Sequence, residues 1–124
     1  MGAGGAERVA SALCNSWSDQ GHAVTLMPTF SGKGDCLYEL RDEVKLVYLA
    51  DLVRCGPFPV VSKVIRVKTL RKFIIRNAPD VVISFQIHVN IAAILSSLGK
   101  SIPLIVCERN YPGLHKVPAL ISLF

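Results

Sequence analysis

Short apolar runs alternate with longer amphipathic stretches along this chain, and that alternation restricts it to one broad architecture. Ala23–Met27 is β-branched and apolar, fit for a buried strand, and Pro28 ends it. Val44–Leu49 alternates enough to form a second strand near a sheet edge. Val81–Phe85 is a continuous apolar run of the kind covered on both faces, and Ile102–Cys107 is another, with proline allowed at its beginning. Between these runs the spacing predicts a first helix stopped at Gly21, a long helix from about Val60 to Asn77, and a short buried helix from Ile91 to Leu98. Asn90 caps the short helix and Gly99 ends it; Lys116–Phe124 begins another. Helix, strand, strand, helix, strand, helix, strand is an α/β order, which implies a parallel sheet with helices on both sides. Ligands of such sheets bind beyond the carboxyl ends of the strands. The opening glycines, Gln86–Asn90 and Glu108–Asn110 are the qualifying loops, expected to gather at one sheet edge.

The opening glycines feed straight into the first helix. Ala6, Val9, Ala10, Leu13 and Trp17 fall on one face of it, and Glu7, Arg8, Ser11, Asn15, Ser18 and Asp19 on the other. Glu7 suits the positive end of the helix dipole. Free N–H groups at such a start, reachable because Gly4 and Gly5 carry no Cβ, make a site for phosphate or diphosphate. A plain loop at a frayed terminus is the alternative. The dinucleotide fingerprint fits poorly, because its third glycine position holds Glu7 and only Met1 precedes the loop where a strand belongs.

A chain of 124 residues is at most one domain, and 51% hydrophobic with 19% charged residues is a globular composition. Fourteen Lys and Arg against nine acids give +5 and a pI near 9.2, a balance that favours an anionic partner without choosing among nucleotide, phospholipid and nucleic acid. Nucleic acid is the weakest of these, since the basic residues are not interleaved with aromatics. Cys14, Cys36, Cys55 and Cys107 are widely spaced, with no metal-ligand pattern, and read as free thiols in a reducing compartment. The N-terminus has no basic-then-apolar leader, and no apolar run approaches the roughly 18 residues of a membrane span, so a cytoplasmic location is expected.

In the long helix, Val60, Val64, Val67, Leu70 and Ile74 read as the apolar stripe, and Lys68, Lys72 and Arg76 as a basic row. That row is either a solvated helix face or a contact for anionic lipid head groups.

Taken together, Gly4-Gly5-Ala6-Glu7-Arg8-Val9, Gly21-His22-Ala23-Val24-Thr25-Leu26, Pro79-Asp80-Val81-Val82-Ile83-Ser84-Phe85 and Glu108-Arg109-Asn110 resemble the N-terminal domain of family 4 glycosyltransferases. These enzymes have the GT-B architecture, and the likeness is greatest to members that build bacterial polysaccharides and lipid-linked glycans. The resemblance implies a Rossmann-like parallel sheet and a retaining sugar transfer from a nucleotide-sugar donor to an acceptor hydroxyl, with no metal and no cofactor. It places Gly4 and Gly5 against the donor diphosphate. His88 lies near the reacting sugar, orienting a donor hydroxyl or assisting the acceptor. Asn90, Glu108, Arg109 and Asn110 face the acceptor side. A locally hydrogen-bonded loop histidine and a structural Glu–Arg pair are the alternatives for these positions.

The family carries a strand before its glycine loop and a C-terminal domain that holds most of the nucleotide sugar. Residues 1–124 therefore read as a single incomplete acceptor-side domain lacking the first strand, inactive on its own. A non-catalytic α/β module that binds a partner transferase or an anionic membrane surface is the competing function.

Overall fold

The computed structural model describes residues 5–29, 38–53 and 59–108. They fall in two compact units, Met1–Arg54 and Cys55–Phe124. Gly4, Cys36, Cys55, Arg109, Asn110 and the expected helix at Lys116–Phe124 lie outside the described residues.

The first unit holds α1 (Gly5–Asp19), β1 (Thr25–Leu26), β2 (Lys45–Leu46) and α2 (Leu49–Leu52). Gly21 stops α1 as its composition predicts. It takes φ 89°, and the His22 and Gly21 amides donate to the carbonyls of Trp17 (3.0 Å) and Ser18 (2.9 Å), which ties off the last turn. The strands run parallel, and the ladder extends past the two paired residues. Lys45, Val47 and Leu49 donate in turn to the carbonyls of Val24, Leu26 and Pro28, at 2.9, 3.0 and 2.9 Å. The second strand is shorter than the expected Val44–Leu49 because Leu49, its amide spent on Pro28, already opens α2.

The buried side of α1 is Ala10, Ser11 and Cys14, rotated from the apolar stripe read in the sequence, with which it shares Ala10; Val9, Leu13 and Trp17 lie half-buried. Small side chains let a helix axis approach its neighbour closely, and bulky ones then seal the edges. Burial pushes the Cys14 thiol above its ordinary value of 9.0, so it stays protonated and inert. Asn15 straps the next segment to α1. Its Nδ2 donates to the Glu39 carbonyl and its Oδ1 accepts from the Arg41 amide, both at 2.8 Å. The Arg41 guanidinium pairs with Asp19 at 3.0 Å on the surface, where such a pair contributes little.

The second unit is α3 (Pro59–Asn77), β3 (Val82–Phe85), α4 (Ile87–Ser97) and β4 (Leu104–Cys107). β3 and β4 pair in parallel from Val82↔Leu104 to Phe85↔Cys107, with α4 as the crossover between them. The mixed α/β arrangement is Rossmann-like, with parallel strands flanked by helices. Contrary to expectation, α4 is not buried all round. Its inner side is Asn90, Ala93 and Ser96, whereas Ile87 and Ile94 are exposed. Ser96 is fully buried, its hydroxyl 2.6 Å from the Ala92 carbonyl and 3.2 Å from that of Val67 on α3. Small residues again make the seam, here between two helices.

Arg71 of α3 closes the far end of α4 by donating to the carbonyls of Ser96 (3.2 Å) and Leu98 (2.6 Å), where a cation also suits the dipole. α3 buries Ile74, but Val60 and Val64, expected inside, are exposed. Ile105 and Val106 of β4 are likewise half-exposed rather than covered on both faces.

Candidate functional site

The carboxyl ends of β3 and β4 lie side by side, because the last pair of the register is Phe85↔Cys107. Gln86 and Glu108 are the residues that leave them. The Gln86 amide extends the ladder by donating to the Cys107 carbonyl at 3.2 Å, and α4 starts in the next residue. The chain therefore turns from strand to helix with almost no loop, where a polar loop from Gln86 to Asn90 was expected.

That turn bends through Gln86, which has φ 76° and ψ 142° and makes no side-chain cap hydrogen bond. This is backbone territory that side chains other than glycine rarely enter, at a cost of about 1–3 kcal/mol. The conformation is held from both sides, since the Gln86 carbonyl also accepts from the Asn90 amide at 2.8 Å. Gln86→Gly is expected to raise the urea midpoint of unfolding, a gain in stability of about 1 kcal/mol once the extra freedom of glycine in the unfolded chain is counted. A lowered midpoint would show that the turn stores no strain.

Asn90 does not cap the helix; it sits within it, one turn from the start, 8% exposed. Its Oδ1 accepts from the hydroxyl of Ser84 at 2.7 Å, and its Nδ2 donates to the Cys107 carbonyl at 3.1 Å. One amide thus joins the last turns of β3 and β4 to the first turn of α4. Ser84 is 4% exposed and was missed in the sequence, although a hydroxyl inside the apolar run Val81–Phe85 was the available signal.

The lock fixes where α4 begins and hence where His88 stands. His88 is exposed in the first turn of α4, among amides that no preceding helical turn can satisfy. Glu108, also exposed, leaves β4 at the same end of the unit. His88, Asn90 and Glu108 are therefore gathered at one sheet end, Asn90 beneath the surface and the other two upon it. Gly5 belongs to the first unit, where it opens α1; a Cβ built on it meets nothing within 4 Å among the described residues. Gly4, Arg109 and Asn110 are outside the described residues. Among the described residues no three His, Cys, Asp or Glu side chains gather into a metal-binding group.

A Rossmann-like unit with polar turns at the carboxyl ends of its parallel strands defines an α/β domain whose candidate ligand site lies at that end. The model of Glycosyltransferase Family 4 matches residues 3–117, and the chain belongs to that family. It is similar to the GalNAc-α-(1→4)-GalNAc-α-(1→3)-diNAcBac-PP-undecaprenol α-1,4-N-acetyl-D-galactosaminyltransferase of Campylobacter jejuni, with 31% identity over 111 residues. That match covers 89% of this chain and 30% of the relative, so the chain spans under a third of the length of the enzyme it resembles.

Proposed function

We propose that this chain is the acceptor-side domain of a GT-B transferase. In this reading a sugar passes from a nucleotide-sugar donor to a hydroxyl of a lipid-linked glycan, with retention at the anomeric carbon and no metal or cofactor. The observation that carries the reading is the polar strand end bearing His88 and Glu108, rigidly set by Asn90, in a chain of this family. The relative's name supports the acceptor class, a glycan on undecaprenyl diphosphate.

In the proposed site Gly4 and Gly5 let the donor diphosphate approach the backbone, and His88 orients a donor hydroxyl or assists the acceptor. Glu108, Arg109 and Asn110 meet the acceptor, and Asn90 contributes by holding the others in place. Among the described residues nothing within 4 Å would meet a methyl group on Gly5. A need for glycine would then come from the ligand.

The test is transfer from a panel of radiolabelled nucleotide sugars to a polyprenyl-diphosphate glycan, using the protein of the complete reading frame that contains these residues. Product with the donor configuration retained is expected, and Gly5→Ala should lower kcat/KM about tenfold or more, some 1.4 kcal/mol, with the fold intact. No transfer from any donor overturns the proposal. An inverted product removes retention, and turnover by the 124-residue chain alone removes the half-enzyme reading.

A further inference from the structure

Gln86 is the wrong residue for the turn it makes. At φ 76° and ψ 142° glycine would sit without strain, whereas a side chain is strained there. The residue also holds the N-cap position of α4, where serine, threonine, aspartate or asparagine would bond the free amides of the first turn. Glutamine makes no such bond here. It is exposed, so it fills no space in the core either. A residue that breaks local rules in this way without helping the fold points to function.

The position is one where a ligand is met. Gln86 lies one step past the Phe85↔Cys107 pair, at the carboxyl ends of both strands. Glu108 leaves β4 at that same end, and His88 follows two residues on, in the first turn of α4. The backbone of Gln86 is tied on both sides, its amide to the Cys107 carbonyl at 3.2 Å and its carbonyl to the Asn90 amide at 2.8 Å. A fixed turn holds the root of the side chain still, so less freedom is lost when a ligand orders the rest.

A carboxamide presents an accepting oxygen and a donating nitrogen side by side and carries no charge. A phosphate calls instead for a cation or for bare N–H groups. Two adjacent hydroxyls of a pyranose match the carboxamide, one donating to Oε1 while its neighbour accepts from Nε2. We infer that Gln86 is a specificity-determining residue, its carboxamide bonding two neighbouring hydroxyls on the terminal sugar of the acceptor glycan. The inference rests on the proposed function, which makes this the acceptor-side domain, and adds to it a residue and the hydroxyl pattern that residue reads.

The test uses the same transfer assay, with the acceptor varied at saturating donor. Gln86→Ala keeps the strained turn and removes the carboxamide; Gln86→Gly removes both. Each should raise the acceptor KM about tenfold while kcat and donor KM stay within about twofold of the parent, the pattern of a lost binding contact. Should Gln86→Ala fail to fold by circular dichroism, Gln86→Gly, with its relieved backbone, gives the same reading. Acceptors lacking one hydroxyl of the terminal sugar at a time identify the pair. Two adjacent deletions should each raise the parent's KM and leave that of the variants unchanged.

An unchanged acceptor KM in the variants leaves the side chain idle and overturns the inference. A fall in kcat alone overturns it as well, because the turn then serves only to place His88. So does a KM rise that no deoxy acceptor reproduces. A parent that transfers to no acceptor removes the proposed function and this contact with it, whereas transfer by the parent with any of the other three results removes the contact alone.

Discussion

Asn90→Ala is expected to lower the free energy of unfolding by about 2–4 kcal/mol, the largest stability loss of any single substitution at the site. Truncation removes the acceptor of the buried Ser84 hydroxyl and the donor to the Cys107 carbonyl, and it leaves a space the size of an amide among packed backbone. An unsatisfied buried polar group costs about 1–3 kcal/mol, and the vacated volume adds to that. Urea denaturation of the chain followed by circular dichroism measures the change. Ser84→Ala is milder, about 1–2 kcal/mol, because Asn90 keeps its bond to Cys107. The double variant should then fall short of the sum by roughly 1 kcal/mol, the coupling of two groups that share a hydrogen bond. Additive losses, or an Asn90→Ala cost below about 0.5 kcal/mol, would mean that the strand end is set by backbone alone.

Such a lock is hard to see in a sequence. Asparagine before an apolar run is a strong sign of a helix start, and Asn90 before Ile91-Ala92-Ala93 gives that sign. The helix instead begins earlier, at Ile87, because Gln86 turns through a positive φ and the ladder to β4 holds it there. No residue preference announces glutamine in that conformation. Periodicity failed in a related way for the helices. The apolar stripe of α1 holds Ala10 but leaves out Ser11 and Cys14, which are buried with it, and α4, apolar nearly all round in the sequence, buries Asn90, Ala93 and Ser96. Close packing selects small volume as well as low polarity, and a hydrophobic stripe records only the second.

What depends on backbone geometry alone was more legible. The strand runs, the glycine stop at Gly21, the parallel pairing and the end of α3 before Pro79 all follow from local rules. The strand end that gathers His88, Asn90 and Glu108 was readable in outline, since loops after strands in an α/β order are where ligands go. Which of its polar residues are structural was not. Asn90 and Glu108 look alike in the sequence as polar residues after apolar ones, and only burial separates the first as a support from the second as a surface group.

His88 supplies the opposite signature, and its removal is expected to have the largest effect on activity. It is exposed at the start of α4, so His88→Ala should change stability by no more than about 0.5 kcal/mol. In an active transferase that contains these residues the same substitution should reduce kcat by about 10²- to 10⁴-fold, roughly 3–5 kcal/mol of barrier, with a smaller change in donor KM, as fits a group proposed to act on the reacting sugar. Asn90→Ala, measured alongside at a temperature where it remains folded, should lose activity only as far as His88 is misplaced. A displaced catalytic group costs less than an absent one, so His88→Ala/Asn90→Ala should be little slower than His88→Ala. If His88→Ala retains activity within about threefold of the parent enzyme, the imidazole has no part in the chemistry. If instead the two losses multiply, Asn90 reaches the substrate by a route that does not pass through His88.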